Sequence, residues 1–192
     1  MRPAILVELK ERTQIYHNQL ENELDIVGRC QTLQGYQQVL TKFWGFYKPI
    51  EDQLSKRYEW QNLGFDFESR LKAPCLADDI ANLKIRVGEA PLLVRCSELP
   101  TLTNFAQAFG QMYVMEGATL GGQIIARQLK EWYGVDAQSG CKFFNSYGSS
   151  VGPMWKVFQQ TLNDYAEATK THEIIVEAGC ETFIKFRNWL ML

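Results

Sequence analysis

Three glycines interrupt the longest stretch of helical periodicity in this chain, within YVMEGATLGGQII at residues 113–125. Gly117, Gly121 and Gly122 each weaken a helix by roughly 1 kcal/mol relative to alanine, so the pattern predicts a use for uncovered backbone. Glycines four residues apart share one helix face and let another backbone or a flat ligand approach closely. Two interpretations stay open at this point: a tight helix crossing, or a helix face that lies over a planar cofactor.

The polar residues beside these glycines also have two possible uses. Glu116, Thr119 and Gln123 could support a locally softened helix through hydrogen bonds, or they could form part of a polar pocket. Their spacing does not distinguish the two uses.

The first half of the chain predicts two long amphipathic helices. Apolar residues recur at steps of three and four up to Leu24, and again from about Leu33 to Tyr58. Pro49 lies inside the second pattern and predicts a bend there, because proline removes a helical hydrogen bond.

The second half continues with helices. A shorter helix is expected around residues 76–83, and the long helix is expected to begin near a cap at Thr101 or Thr103 and to end at Gly134. Two further helices follow. No run of strict apolar and polar alternation indicates a strand, so residues 1–192 are predicted to form one all-α domain.

Composition narrows the class of protein. The formal net charge of −2 comes without a long run of either sign, which argues against a nucleic-acid partner. The five cysteines are scattered and form no CxxC pair, so neither a disulfide framework nor a zinc site is expected. No segment approaches the roughly 18 apolar residues of a membrane span. These features predict a cytoplasmic protein that does not bind a membrane.

Two histidines limit where a histidine-bound metal could lie. His17 shares a helix face with buried-type residues, which predicts that its ring points inward, either as an ordinary core residue or as a ligand. Glu21 lies one turn later and could accept a hydrogen bond from the ring, while Lys10 lies two turns earlier. Haem needs such an axial nitrogen, an acceptor that orients it and a cation for its propionates. His172 is near a helix start, where an exposed or capping role is expected.

Other catalytic patterns are absent from the sequence. It contains no HExxH, GxSxG or GxGxxG motif, no P-loop and no ExxH pair for a di-iron centre. None of the cysteines has a histidine close to it in sequence, so a cysteine nucleophile has little support.

Two segments together resemble the heme oxygenase family. They are LKERTQIYHNQLE at residues 9–21 and YVMEGATLGGQII, and the second is most similar to the bacterial branch, including the enzymes that supply biliverdin to bacterial phytochromes. FFNSYGSSVGPMWKVF and ETFIKFRNWL also resemble late segments of that branch. The resemblance covers most of the chain and implies a single-domain helical bundle with a kinked, glycine-rich distal helix.

The resemblance also implies roles for the segment that contains His17 and for the segment that contains the glycines. His17 would be the proximal iron ligand, with Glu21 as the residue that orients it. Gly117, Gly121 and Gly122 would form the distal helix, whose backbone lies close to haem and leaves room for dioxygen.

Further residues would complete the pocket. Tyr113 matches the family tyrosine that reaches a haem propionate, Lys10 is a second candidate for that contact, and Trp155 and Phe183 would be wall residues. Ala118 marks a departure, because mammalian members carry an aspartate there that organises a proton-donating water. The bacterial branch commonly has a small residue at this position, so activity is expected without an assigned proton route.

The implied reaction is oxidative cleavage of haem to biliverdin, carbon monoxide and free iron, with haem as both substrate and cofactor. It uses dioxygen and electrons from a separate ferredoxin or other reductase, and a bacterial phytochrome is the expected acceptor of biliverdin in this branch. The main alternative is a haem-binding carrier or sensor of the same fold that does not degrade haem. A thiaminase-like enzyme and a helical interaction module are further rivals, and the combination of His17 with the three glycines favours haem over both.

Overall fold

The computed structural model describes residues 3–89 and 91–192, and across these two ranges the regular structure is entirely helical. The α-helices are α1 (Ala4–Leu24), α2 (Ile26–Arg29), α3 (Leu33–Leu54), α4 (Glu59–Asn62), α5 (Ala73–Val87), α6 (Phe105–Tyr133), α7 (Lys142–Asn145), α8 (Val151–Thr169) and α9 (His172–Met191). Short 3-10 turns occupy Glu68–Arg70 and Gly148–Ser150. The prediction of an all-α chain is confirmed.

The helix ends differ from the sequence-based expectation in three places. Helix α5 spans Ala73–Val87 and so extends beyond the expected residues 76–83 at both ends, because proline is tolerated in the first turn of a helix. Helix α3 ends at Leu54, before the predicted Tyr58. The expected cap at Thr101 or Thr103 is wrong, because Asn104 is the N-cap of α6. Asn104 and Gln107 form a reciprocal capping box, in which each side chain accepts a hydrogen bond from the other residue's backbone N–H. The predicted C-cap at Gly134 is confirmed, with φ of 64° in the left-handed region.

Helix α9 packs between α1 and α6, and the two contacts meet at a pair of small residues. A Cβ built on Gly110 of α6 would lie 2.4 Å from the Ile175 carbonyl oxygen and 2.7 Å from the Gly179 nitrogen. On the opposite side, a Cβ built on Gly179 would lie 3.1 Å from a methyl carbon of Leu9 in α1. The three helices therefore approach one another through glycine, and this crossing lies outside the GATLGG segment.

Aromatic side chains fill the core on either side of this crossing. Trp60 packs edge-on against Phe105 and Phe109 of α6 at ring distances of 4.5 and 5.2 Å. Phe186 of α9 stacks on Phe46 of α3 at 4.6 Å. Much of the aromatic content is therefore structural.

Two buried carboxylates hold helix starts. Glu51 accepts hydrogen bonds from the backbone N–H groups of Lys72 (2.7 Å) and Ala73 (3.0 Å) at the beginning of α5. Asp79 accepts from Lys142 and Phe143 at the beginning of α7, at 2.7 and 2.8 Å. Burial raises the pKa of Glu51 to about 7 and that of Asp79 to about 6, although the N–H donors oppose the shift.

None of the helices in residues 3–89 and 91–192 combines the length and the apolar character needed to cross a membrane.

The Gly110 crossing predicts a steric penalty for the smallest possible side chain. Gly110→Ala should lower the free energy of unfolding by about 1 to 3 kcal/mol, because the new methyl group meets backbone atoms that cannot move aside cheaply. Urea denaturation measures this. Gly152→Ala is the matched control, since a Cβ there meets no atom within 4 Å. Equal stability of the Gly110 variant and the wild type would contradict the close crossing.

The raised pKa of Glu51 predicts how stability depends on pH. The folded protein binds this proton more tightly than the unfolded chain does, because burial disfavours the charged carboxylate. The resulting stabilisation is fully present below pH 4.5, where an ordinary glutamate side chain titrates, and is lost as pH rises through about 7. Glu51→Gln cannot titrate, so the fall in unfolding free energy over that window should shrink by up to about 3 kcal/mol.

Chemical denaturation of this variant at several pH values measures how steeply its unfolding free energy changes with pH. Glu131→Gln, which removes an exposed carboxylate on α6, serves as the control. A Glu51→Gln profile as steep as that of the wild type would show that another group causes the slope.

Candidate functional site

His17 lies on α1 at the edge of the buried stripe, with 46% of its side chain exposed. The expectation that the ring points inward is therefore wrong. The stripe itself is formed by residues such as Leu9, Thr13 and Leu20, and His17 is rotated away from its centre on the side of Lys10, which is exposed. A half-exposed ring is accessible to a ligand that covers this face.

Two contacts hold the imidazole. Its Nδ1 atom lies 3.3 Å from Oε2 of Glu21, one turn later on α1. Its ring lies edge-on to Phe183 of α9, with centroids 5.8 Å apart and an angle of 76°. In the described part of the chain, Nε2 has no hydrogen-bond partner. A carboxylate beside one ring nitrogen leaves the other nitrogen available to bind a metal.

The three glycines of this segment have two different kinds of surroundings. Helix α6 runs as one continuous helix from Phe105 to Tyr133, so the glycines neither end it nor divide it. A Cβ built on Gly122 would lie 2.6 Å from the Phe144 carbonyl oxygen, so Gly122 is a packing glycine. A Cβ built on Gly117 or Gly121 would meet no atom within 4 Å.

Neither packing nor backbone conformation therefore explains why positions 117 and 121 are glycine. Both have the ordinary negative φ of a helix, since the positive-φ glycines lie elsewhere in the described ranges. Each weakens α6, and neither makes room for any side chain or backbone of the protein. Of the two interpretations, a tight helix crossing does not apply to Gly117 and Gly121, and close approach of a ligand to this face does.

The surface around the two glycines is apolar and open. Leu120 is 46% exposed and Ile124 is 65% exposed, and Ala118 is also exposed. Tyr113, Gly117 and Gly121 follow one another by single turns along this face. Exposed apolar residues beside uncovered backbone are typical of a ligand-binding surface.

Aromatic rings border the N-terminal end of this face. Tyr113 is half-buried and lies 5.8 Å from the ring of Trp155 on α8. Trp155 in turn stacks on Phe158 at 5.5 Å. The structure thus brings Tyr113 together with Trp155, and His17 together with Phe183.

A buried ionic cluster beneath the glycine segment has no signal in the sequence. Arg70 donates to Oε2 of Glu116 at 2.9 Å, and Tyr147 donates to Oε1 at 2.6 Å. Lys72 donates to the Tyr147 hydroxyl at 2.5 Å and lies 3.7 Å from Glu116. The side chains of Arg70, Lys72 and Glu116 are at most 3% exposed. The partners lie far from Glu116 in sequence, so spacing could not have revealed them.

The hydrogen bonds of the polar residues beside the glycines show how those residues are used. Glu116 binds internal cations, Thr119 donates to the Glu116 carbonyl at 2.7 Å, and Gln123 donates to the Asn145 carbonyl at 3.0 Å. All three therefore support the helix. Burial lowers the pKa of Lys72 against the opposing charge of Glu116, and burial together with Glu116 raises the pKa of Tyr147.

A protein-only metal site is not found among the described residues, where no three His, Cys, Asp or Glu side chains come together. The five cysteines, all of which lie in the described ranges, are free. Haem fits what is present, because its porphyrin supplies four of the iron ligands and needs a single protein nitrogen. His17 offers that nitrogen, and the open backbone at Gly117 and Gly121 offers a surface for a flat ring.

Comparisons with known proteins identify the family. A family model described as Heme oxygenase matches residues 4–191. A heme oxygenase of Xanthomonas campestris pv. campestris (strain 8004) is 33% identical over 157 residues, which are 81% of this chain and 88% of that protein. The NO- and CO-bound heme oxygenase of Neisseria meningitidis shares the fold, with a TM-score of 0.81 at 19% identity over 98% of this chain and 92% of that chain. The chain described here belongs to the heme oxygenase family.

Proposed function

We propose that this haem-degrading enzyme binds its substrate between α1 and α6, with His17 as the iron ligand and the Gly117–Gly121 face against the macrocycle. The observation that carries the proposal is that Gly117 and Gly121 leave the α6 backbone uncovered although no protein atom packs against it there. Bound haem would supply both the iron that binds dioxygen and the macrocycle that is cleaved, and its oxidation gives biliverdin, carbon monoxide and free iron.

His17 binds iron through Nε2. Glu21 orients the ring and increases its basicity by holding Nδ1, which lies 3.3 Å from the carboxylate. Phe183 covers one edge of the imidazole and limits its rotation. The exposed part of the imidazole is the part that bound haem would cover.

On the distal side, Gly117 and Gly121 let the helix backbone lie against the ring plane, and Gly122 keeps α6 packed on Phe144. Ala118, Leu120 and Ile124 exclude bulk water from this side once they are covered. Ala118 has no group that can donate a proton, so the side chain at this position takes no part in proton delivery.

The propionates bind at the polar margins. Tyr113, one turn before Gly117, donates its hydroxyl to one propionate, and Trp155 holds the ring of Tyr113 in place. Lys10, exposed on the same side of α1 as His17, pairs with the other propionate. Trp155 and Phe183 form opposite walls of the pocket.

The enzyme works in the cytoplasm as one domain of residues 1–192 and obtains electrons from a separate ferredoxin or other reductase. Biliverdin then passes to an acceptor, for which a bacterial phytochrome is the candidate. The similarity of the distal segment to the phytochrome-associated branch supports this acceptor.

Titration with ferric haem tests the ligand and the reaction in one experiment. Wild-type protein should bind one haem with a histidine-type Soret band, and addition of a reductant under air should convert that band to biliverdin absorbance. His17→Ala should lose the histidine-type spectrum. His172→Ala is the matched control and should behave as wild type, because its Nε2 atom lies 3.3 Å from Glu167 in another part of the fold.

Two results would contradict the proposal. An unchanged spectrum in His17→Ala would exclude His17 as the ligand. A wild-type band that never decays under reducing, aerobic conditions would favour a haem carrier or sensor instead of an enzyme.

A further inference from the structure

The glycine stretch of α6 is anchored at both ends by one short segment, Phe144–Tyr147, which we call the strap. The strap meets α6 directly before Gly117 through Tyr147 and again at Gly122 through Phe144. Between these two points, neither Gly117 nor Gly121 has a side chain with which to hold the helix. The distance of this backbone from anything bound against it therefore depends on the two anchors.

The first anchor is electrostatic. The Tyr147 hydroxyl donates to Glu116 at 2.6 Å and accepts a hydrogen bond from Lys72 at 2.5 Å. Arg70 completes the cluster by donating both to Glu116, at 2.9 Å, and to the Met154 carbonyl, at 3.2 Å. Because these charges are buried, loss of one hydrogen bond is poorly compensated by water.

The second anchor combines a close backbone contact with one side-chain hydrogen bond. The Phe144 carbonyl lies against Gly122 so closely that a Cβ there would be 2.6 Å away. One residue further along each segment, the Gln123 side chain donates to the Asn145 carbonyl at 3.0 Å. The two contacts fix the position of α6 just after Gly121.

Between the anchors, the strap has an unfavourable conformation of its own. Ser146 has φ of 37° and ψ of −112°, which non-glycine residues rarely adopt. Its hydroxyl is buried and has no hydrogen-bond partner among the described residues. Local preference therefore does not explain this conformation, and the contacts on either side must maintain it.

We propose that the strap is a positioning element, which holds the Gly117–Gly121 backbone at a fixed distance from haem and so restricts oxidation to one meso edge. Tyr147 and Gln123 are the positioning residues, and both act through α6. This inference rests on the proposed haem site for its consequence in the reaction, but the anchoring of α6 is a property of the protein alone.

Hydrogen exchange in the ligand-free protein tests the anchoring. Tyr147→Phe keeps the aromatic ring and removes the hydroxyl, so amides at residues 117–122 should exchange at least about tenfold faster while those of α3 do not change. Gln123→Ala removes the hydrogen bond of the second anchor at a partly exposed position and should have the same selective effect if Tyr147→Phe folds poorly. Ser146→Gly is the control within the strap, since it keeps both anchors and should leave these amides unchanged.

The isomer distribution of the biliverdin product tests the consequence. Tyr147→Phe and Gln123→Ala should give a mixture of isomers, whereas the wild type and Ser146→Gly should give one. Unchanged exchange at residues 117–122 in both anchor variants would overturn the strap, and faster exchange with a single isomer would overturn its positioning role. If the wild type bound no haem, the proposed function would fail, while selectively faster exchange would still support the anchoring.

Discussion

The close crossing of α6 and α9 at Gly110 and Gly179 is the contact on which the rest of the architecture depends. It lets α9 pack against α6 on one side and against Leu9 of α1 on the other. Phe183 of α9 then lies beside His17, on the same three-helix assembly that carries the glycine face of α6. The fold thus connects the candidate iron ligand to the candidate distal surface through a single shared helix.

The glycines of this chain follow two physical rules. Gly110, Gly122 and Gly179 are small because protein atoms occupy the space that a Cβ would need, or come close to it. Gly117 and Gly121 are small although that space is open, so they weaken α6 without improving any internal contact. A local cost with no structural gain is typical of functional sites, and here it supports a ligand on this face.

Much of the fold could be predicted from local sequence, whereas the site could be predicted only in part. Helical periodicity identified the main helices and Gly134 as a C-cap, but Asn104 replaced the expected threonine cap because a capping box with Gln107 competes for the same turn. Similarity to the family predicts the roles of His17 and the glycine segment. The side-chain partners of Glu116 could not be predicted, because buried ion pairs between distant segments leave no periodic signal.

The central claim is that Gly121 is retained for the ligand and not for the fold, and one paired measurement on Gly121→Leu tests it most directly. The ligand-free variant should be more stable than wild type by up to about 1 kcal/mol, because leucine favours helix and meets no protein atom at its Cβ. Haem binding should weaken at least about tenfold, a change of about 1.4 kcal/mol. Arg127→Leu, at an exposed position further along α6, should leave haem affinity unchanged. Wild-type haem affinity in Gly121→Leu would contradict the account.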